Sequence, residues 1–217
     1  MEIQEIDRGS VNFIRAYDSV EQIYSWWESN PESIGCAFVG RSNVGKSSLI
    51  NSLFGNKIAK TSKTPGRTQK INIFTFCLTK DPEHKIYYLY DLPGYGHAKV
   101  NKSISRNWQD IINAFFTRIN KSTVLLNLQD ARHPNQNSDK QFYKYINPAV
   151  ADIFLVFNKI DKLKKQKERA ALNKMKPQLI KEFQAVTQIF FSSAESKDGV
   201  PPIEQALISY IHEKELN

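Results

Sequence analysis

Short runs dominated by apolar residues occur at 36–39, 124–128, 153–157 and 188–191. The first three runs, bounded by turn residues, read as strands buried on both faces, and 188–191 reads as the last strand. Between them apolar residues recur at three- and four-residue steps, the spacing of a helix face. Leu49, Ile50, Leu53 and Phe54 form one such face, and Ile104, Trp108, Ile111, Ile112, Phe115, Phe116 and Ile119 a second. A third is Ile203, Ala206, Leu207, Tyr210 and Ile211, in a helix opened by Pro201-Pro202. Two more strands, 71–78 and 86–90, are joined by the turn 80–84. So short a connection implies an antiparallel pair, because a parallel pair needs a long crossover. A short helix is expected over 138–146, and a basic helical stretch over 162–183 that Pro177 should kink or split.

Ahead of the first buried run, 13–17 reads as an edge strand and 20–28 as a short helix with Ile23, Trp26 and Trp27 on its apolar side. Asn30-Pro31 ends that helix. The alternation of strands and helices predicts an α/β fold. Its sheet is expected to be mostly parallel and six-stranded, with one antiparallel strand and helices on both faces. Residues 1–33 are expected to be an arm packed on the core, and 34–217 a single domain.

Composition narrows the picture modestly. The 217 residues suit one domain with a sizeable core. Lysine and arginine number 30 against 22 acids, and the net charge of +8 leans towards an acidic partner, either nucleic acid or anionic lipid. Cys36 and Cys77 both sit in apolar runs, which fits reduced thiols and a reducing cytoplasm. Glu2, Glu5 and Asp7 do not suit a signal peptide, and no apolar run approaches the ~20 residues that span a bilayer. A cytoplasmic monomer without membrane insertion is expected.

The chemistry is concentrated in five stretches. Gly40-Arg41-Ser42-Asn43-Val44-Gly45-Lys46-Ser47, followed by Ser48, fits the phosphate-binding pattern of glycine, four residues, then Gly-Lys-Ser. It lies between an apolar strand and a helix, the context that pattern requires. Backbone N–H groups and the helix N-terminus face phosphate oxygens there, Lys46 bridges the β- and γ-phosphates, and the Ser47 hydroxyl holds Mg²⁺. Asn158-Lys159-Ile160-Asp161 follows a buried run and fits guanine recognition. A carboxylate at Asp161 accepts from the ring N–H and the exocyclic amino group of guanine, and adenine offers neither donor. Phe191-Ser192-Ser193, followed by Ala194, would back the base. Asp91-Leu92-Pro93-Gly94 ends a strand, with Asp91 reaching the magnesium through water and the Gly94 N–H meeting the γ-phosphate. Residues 57–70 read as a loop, with Gly66-Arg67-Thr68-Gln69-Lys70 closing on the nucleotide. Thr68 is the expected second magnesium hydroxyl, in competition with Thr64. Arg67 is either an internal charge stabiliser or a solvated loop residue. Tyr95 stands where Ras-like enzymes use glutamine to orient water, so slow hydrolysis raised by a partner is expected.

Taken in order, these stretches resemble the EngB (YsxC/YihA) family of bacterial ribosome-assembly GTPases, within the TrmE–Era class. The resemblance is carried by residues 40–47, by Thr64-Pro65-Gly66-Arg67-Thr68-Gln69 and by Asp91-Leu92-Pro93-Gly94-Tyr95-Gly96. Asp130-Ala131-Arg132-His133-Pro134, Phe191-Ser192-Ser193 and the Phe13–Tyr17 arm add to it. It implies a Ras-like fold, GTP and GDP as ligands with Mg²⁺, and Lys46, Thr68 and Gly94 as the hydrolytic residues. It also implies a role in maturing the large ribosomal subunit and in normal cell division and septation. His97 replaces the family's usual tyrosine, and Asn158 a frequent threonine. Asn43 stands where related GTPases hold K⁺ beside the phosphates. The basic stretch Lys159, Lys162, Lys164, Lys165, Lys167, Arg169, Lys174 and Lys176 is either a solvated helix face or a contact to ribosomal RNA. The alternative function is a nucleotide-gated RNA- or ribosome-binding module in which hydrolysis is incidental.

Overall fold

In a computed structural model the protein is described over residues 4–55, 57–59, 70–95, 102–146 and 152–216, with the backbone alone for 102–105. Among these residues the strands are β1 (Ile6–Tyr17), β2 (Gly35–Gly40), β3 (Ile71–Leu78), β4 (Tyr87–Asp91), β5 (Thr123–Asp130), β6 (Ile153–Asn158) and β7 (Val186–Ser192). They form one sheet in the order β1-β3-β4-β2-β5-β6-β7. β3 pairs antiparallel with β1 and with β4, and the remaining pairings are parallel. One strand therefore runs against all the others.

The helices are α1 (Val20–Ser29), α2 (Lys46–Phe54), α3 (Lys102–Arg118), α4 (Asn137–Ile146), α5 (Gln166–Glu182) and α6 (Val200–Glu215). Side chains alternate across a strand, and this alternation divides the core in two. Cys36 and Phe38 of β2 pack with Leu49, Ile50 and Leu53 of α2 and with Ile203, Leu207 and Ile211 of α6. Ala37 and Val39 face the opposite cluster, with Trp27 of α1, Ile112 and Phe115 of α3, Phe142 of α4 and Leu172 of α5. With both faces covered, every residue of β2, β5 and β6 is buried.

Two features depart from the sequence pattern. The six expected strands are present, and the arm adds a seventh that begins at Ile6 rather than at Phe13. Its polar start is held from outside the strand. Glu204 of α6 accepts from the Ile6 N–H (3.0 Å) and pairs with Arg8 (2.8 Å), and the Ser10 hydroxyl accepts from the Cys77 N–H (2.8 Å). Pro177 does not split α5, which continues through it to Glu182. Pro177 and Asn173 are both exposed, so the Asn173 carbonyl that loses its helical partner is open to water. Before α5, residues Ile160–Lys162 form a separate 3-10 turn.

The arm and core meet through aromatic packing. The Trp27 ring lies 5.3 Å from Tyr90 and 5.4 Å from Phe115, centroid to centroid. Trp26 Nε1 donates to the Tyr90 hydroxyl at 3.4 Å. The parallel register then determines where function collects. Phe38 is level with Asp91, Gly40 with Leu128, Asp130 with Asn158, and Asn158 with Ser192. The C-terminal ends of β2, β4, β5, β6 and β7 thus share one edge, where open α/β sheets bind their ligands.

Candidate functional site

β2 ends in Gly40, and the chain turns through Arg41–Val44 into α2. Gly45, at φ 96°, takes the left-handed backbone that starts this helix. The Leu49 N–H makes the first intrahelical bond, to the Gly45 carbonyl at 2.9 Å. The N–H groups of Lys46, Ser47 and Ser48 before it have no partner within the helix. No side chain caps that end. Three N–H donors and the positive end of α2 therefore face the same direction, the arrangement that binds phosphate.

The guanine-pattern residues fold back onto this loop. Asn158 is buried, and its Nδ2 donates to the Val44 carbonyl at 3.0 Å. Its Oδ1 accepts from the Ala194 N–H (3.1 Å) and the Ser192 hydroxyl (3.4 Å). One carboxamide thus ties together the phosphate loop, the end of β6 and the loop after β7. Lys159, in a left-handed conformation (φ 69°), lays its ammonium on the Asn43 carbonyl and on Asp130 Oδ2 (3.1 Å). Asp161 is ion-paired with Lys162 at 3.0 Å. Burial works against its charge, but hydrogen bonding from Ser193 and the Lys162 ammonium outweigh that and hold its carboxyl below the usual carboxylate range. Ile160 is buried beneath it, and Ser192 and Ser193 are fully buried. Phe191 stacks on Phe157 (5.7 Å) and carries Lys176 Nζ over its face at 4.4 Å.

On the other side of the loop, Lys46 Nζ contacts the Asp91 carboxylate directly. Asp91 is buried and also lies 3.5 Å from Asn72 Nδ2. The Leu92 N–H bonds to the Phe38 carbonyl (3.0 Å), Pro93 accepts from Trp108 Nε1 (3.4 Å), and a side chain at Gly94 would press on the Gly40 carbonyl. The hydroxyl of Ser47 and the carboxylate of Asp91 are hard oxygen donors, which suit Mg²⁺. Thr64, Gly66, Arg67, Thr68, Gln69 and His97 lie outside the described residues. Lys70 pairs with Asp18, in the turn after β1, at 2.7 Å. The side chain of Asn43, expected beside potassium, is exposed.

Arg41 and Tyr95 take roles that sequence spacing did not disclose. The Arg41 guanidinium turns to Asp139 of α4, with Nε to Oδ1 at 3.0 Å, and to the His133 carbonyl at 2.8 Å. Tyr95 is buried, stacks on Phe142 at 4.3 Å and 11°, and donates its hydroxyl to the same Asp139 oxygen at 2.9 Å. Asn127 of β5 donates to the Tyr95 hydroxyl at 3.2 Å. Asp139 is fully buried, and its other oxygen accepts from the Gln136 N–H at 2.8 Å. Burial raises its carboxyl pKa, against the pull of Arg41 and the Tyr95 hydrogen bond. Removing one partner of such a buried pair typically costs about 3–5 kcal/mol. A lone acid in a helix's first turn gives no sign in the sequence that an arginine and a tyrosine will bury it. Asp130, a motif residue with no role assigned from sequence, acts as an anchor. It forms a two-bond pair with Arg132 (2.9 and 2.6 Å) while holding Lys159. Together with the Lys159 ammonium, these contacts hold its carboxyl far below the usual range despite burial.

The comparisons agree with this geometry. A family model described as "50S ribosome-binding GTPase" matches residues 35–159. A probable GTP-binding protein EngB of Prosthecochloris aestuarii is 38% identical over 175 residues, covering 80% of this chain and 85% of the relative. Another, of Natranaerobius thermophilus, is 38% identical over 144 residues, covering 66% and 71%. The crystal structure of a probable GTP-binding protein EngB superposes with a TM-score of 0.61 at 25% identity, covering 82% of this chain and 99% of that one. The chain belongs to the EngB family of GTP-binding proteins, and its fold is that of a P-loop GTPase.

Proposed function

We propose that this protein is a slow, Mg²⁺-dependent GTP switch that acts in the cytoplasm on assembly of the large ribosomal subunit, and through it on cell division. Residues 34–217 form its nucleotide-binding domain in this reading, and residues 1–33 an arm. The observation that carries the reading is the Asn158 tie, which joins the phosphate loop to the two base-reading loops. The family description as 50S ribosome-binding supports the ribosomal part.

In this proposal the N–H groups of Lys46, Ser47 and Ser48 bind the phosphates. Lys46 exchanges Asp91 for the β- and γ-phosphates when GTP enters. Ser47, Thr68 and, through water, Asp91 would hold magnesium, which when bound neutralises charge on the phosphate oxygens. Asp161 reads the guanine N–H groups. The Gly94 N–H meets the γ-phosphate, so that residues 63–69 and 91–99 order with GTP and release after hydrolysis.

The Tyr95 hydroxyl is committed to Asp139, so it is not available to orient water. Turnover of the isolated protein is therefore expected near the unassisted Ras rate, on the order of 10⁻⁴ s⁻¹. A value near 10 s⁻¹ would refute slow hydrolysis. The same observation favours a second reading, a nucleotide-gated binding module in which cleavage is incidental. Single-turnover cleavage with and without large subunits separates the two, because a switch is accelerated by its particle and an incidental hydrolase is not. Co-sedimentation with subunits in GTP and in GDP tests the ribosomal reading itself.

The basic stretch divides in the structure. Lys159, Lys162 and Lys176 are engaged with Asp130, with Asp161 and Glu195, and with Phe191. Lys164, Lys165, Lys167, Arg169 and Lys174 are exposed. If several of these meet RNA phosphates, affinity for ribosomal particles should fall roughly 10- to 100-fold between 50 and 200 mM salt. Sedimentation that is unchanged over that range would remove this helix from the interface.

A further inference from the structure

A cleft of about 420 Å³ lies between α3 and α4, and of its lining residues only Tyr95 enters the nucleotide reading above. We infer that this cleft takes an unpaired RNA base and that its shape follows the bound guanine nucleotide. The inference rests on the ribosomal reading above and gives it a contact point. A base presents a flat π-face and an edge of donors and acceptors, and proteins meet unpaired bases with aromatic rings and hydrogen-bonding side chains.

The cleft has both. Tyr95 and Phe142, stacked at 4.3 Å, line its inner side, and Trp108 and Tyr145 stand at its walls. Tyr145 is 44% exposed, and its hydroxyl donates to Asn113 Oδ1, joining the two helices. Gln109 and Gln141 add two carboxamides with both donors and acceptors. The volume lies within the range of small-molecule sites.

The residues lining the cleft are uncharged, and the charge balance of the two helices that flank it leans towards a polyanion. Arg106, Lys140 and Lys144 stand on these two helices against one exposed acid, Asp110. Asp139 is buried and paired with Arg41.

The cleft is also attached to the nucleotide loops. The Tyr95 N–H bonds the Gly40 carbonyl (3.2 Å), and the Ser42 N–H bonds the Tyr95 carbonyl (3.3 Å). Trp108 is bonded to Pro93. Rings on two sides therefore hang from the segments that meet the phosphates.

The test uses the full chain loaded with a non-hydrolysable GTP analogue or with GDP, and a single-stranded RNA hexamer carrying a central 2-aminopurine. Stacking should quench the probe, with different affinity in the two nucleotide states. Tyr145→Ala should weaken binding about tenfold, Tyr145→Phe should keep it, and wild-type GTP affinity in both shows that the fold is intact. An unquenched probe, or Tyr145→Ala binding as wild type, overturns the inference, and equal affinity with GTP analogue and GDP overturns its coupling. Sedimentation with large subunits distinguishes the levels. Wild type that fails to sediment in either state overturns the ribosomal reading, whereas wild type and Tyr145→Ala sedimenting alike overturns the cleft alone. Sedimentation that needs Tyr145 without quenching of the RNA probe assigns the cleft to a protein side chain and overturns the RNA base.

Discussion

Gly45→Ala is expected to lower stability by about 2–5 kcal/mol and to reduce nucleotide affinity by two orders of magnitude or more. Gly45 sits at φ 96°, where an L-residue costs roughly 1–2 kcal/mol. A methyl group there would also overlap Asn158 Nδ2. Asn158 has no room to withdraw, because it holds Val44 on one side and Ala194 on the other. Displacing it leaves buried polar groups unpaired, at about 1–3 kcal/mol. The loss of affinity should exceed the loss of stability in proportion, since the phosphate loop and the base loops come apart together. Denaturant unfolding and a GDP titration on the same variant measure both. Gly9→Ala is the control: its new methyl group would meet only the Asp7 carboxylate, at 3.3 Å, and both properties should stay near wild type. A Gly45→Ala protein that binds GDP like wild type would contradict the tie between the loops.

Asp161→Asn should exchange the preferred base. A carboxylate accepts two hydrogen bonds from guanine, whereas a carboxamide presents its NH₂ to the carbonyl that xanthine carries in place of the amino group. Asp161 stays ionised at neutral pH, its carboxyl held low by Ser193 and Lys162 against the effect of burial. Sites built on such pairing discriminate by about 10⁴-fold or more. GTP affinity should fall on that order and affinity for xanthosine triphosphate should rise. The fold is expected to survive, because a carboxamide oxygen can still accept from the Ser193 hydroxyl and from the backbone N–H that bonds the Asp161 carboxylate. A competition titration of the two nucleotides reads the exchange directly. Unchanged preference for GTP would show that Asp161 does not read the base.

Much of the site was legible because of where parallel strands end. β2, β5 and β6 are continuous apolar runs, and the motif residues Gly40, Asp130 and Asn158 are their last residues. Once those runs are recognised as strands of one parallel sheet, their ends must share an edge. The first half of β1 was illegible for the opposite reason. Asp7, Arg8 and Ser10 show no apolar pattern, and they join the sheet through β3, with Asp7 opposite Cys77, and through Glu204, almost two hundred residues away. Pro177 signals a broken helix by local rules, and it is the exposure of that face that lets α5 continue. The Arg41–Asp139–Tyr95 group was hidden because its members come from three elements, 98 and 44 residues apart in sequence. Spacing places Arg41 in the phosphate loop and marks Tyr95 only as a residue unsuited to orienting water, whereas the fold turns both side chains onto Asp139 of α4.

The central claim is that the phosphate loop and Asp161 together select a guanine nucleoside triphosphate. Titrating the purified full chain with GTP and ATP, each with Mg²⁺, tests it most directly. The account predicts tight GTP binding and ATP binding weaker by about 10⁴-fold. Equal affinity for the two nucleotides, or no binding of either, would contradict it.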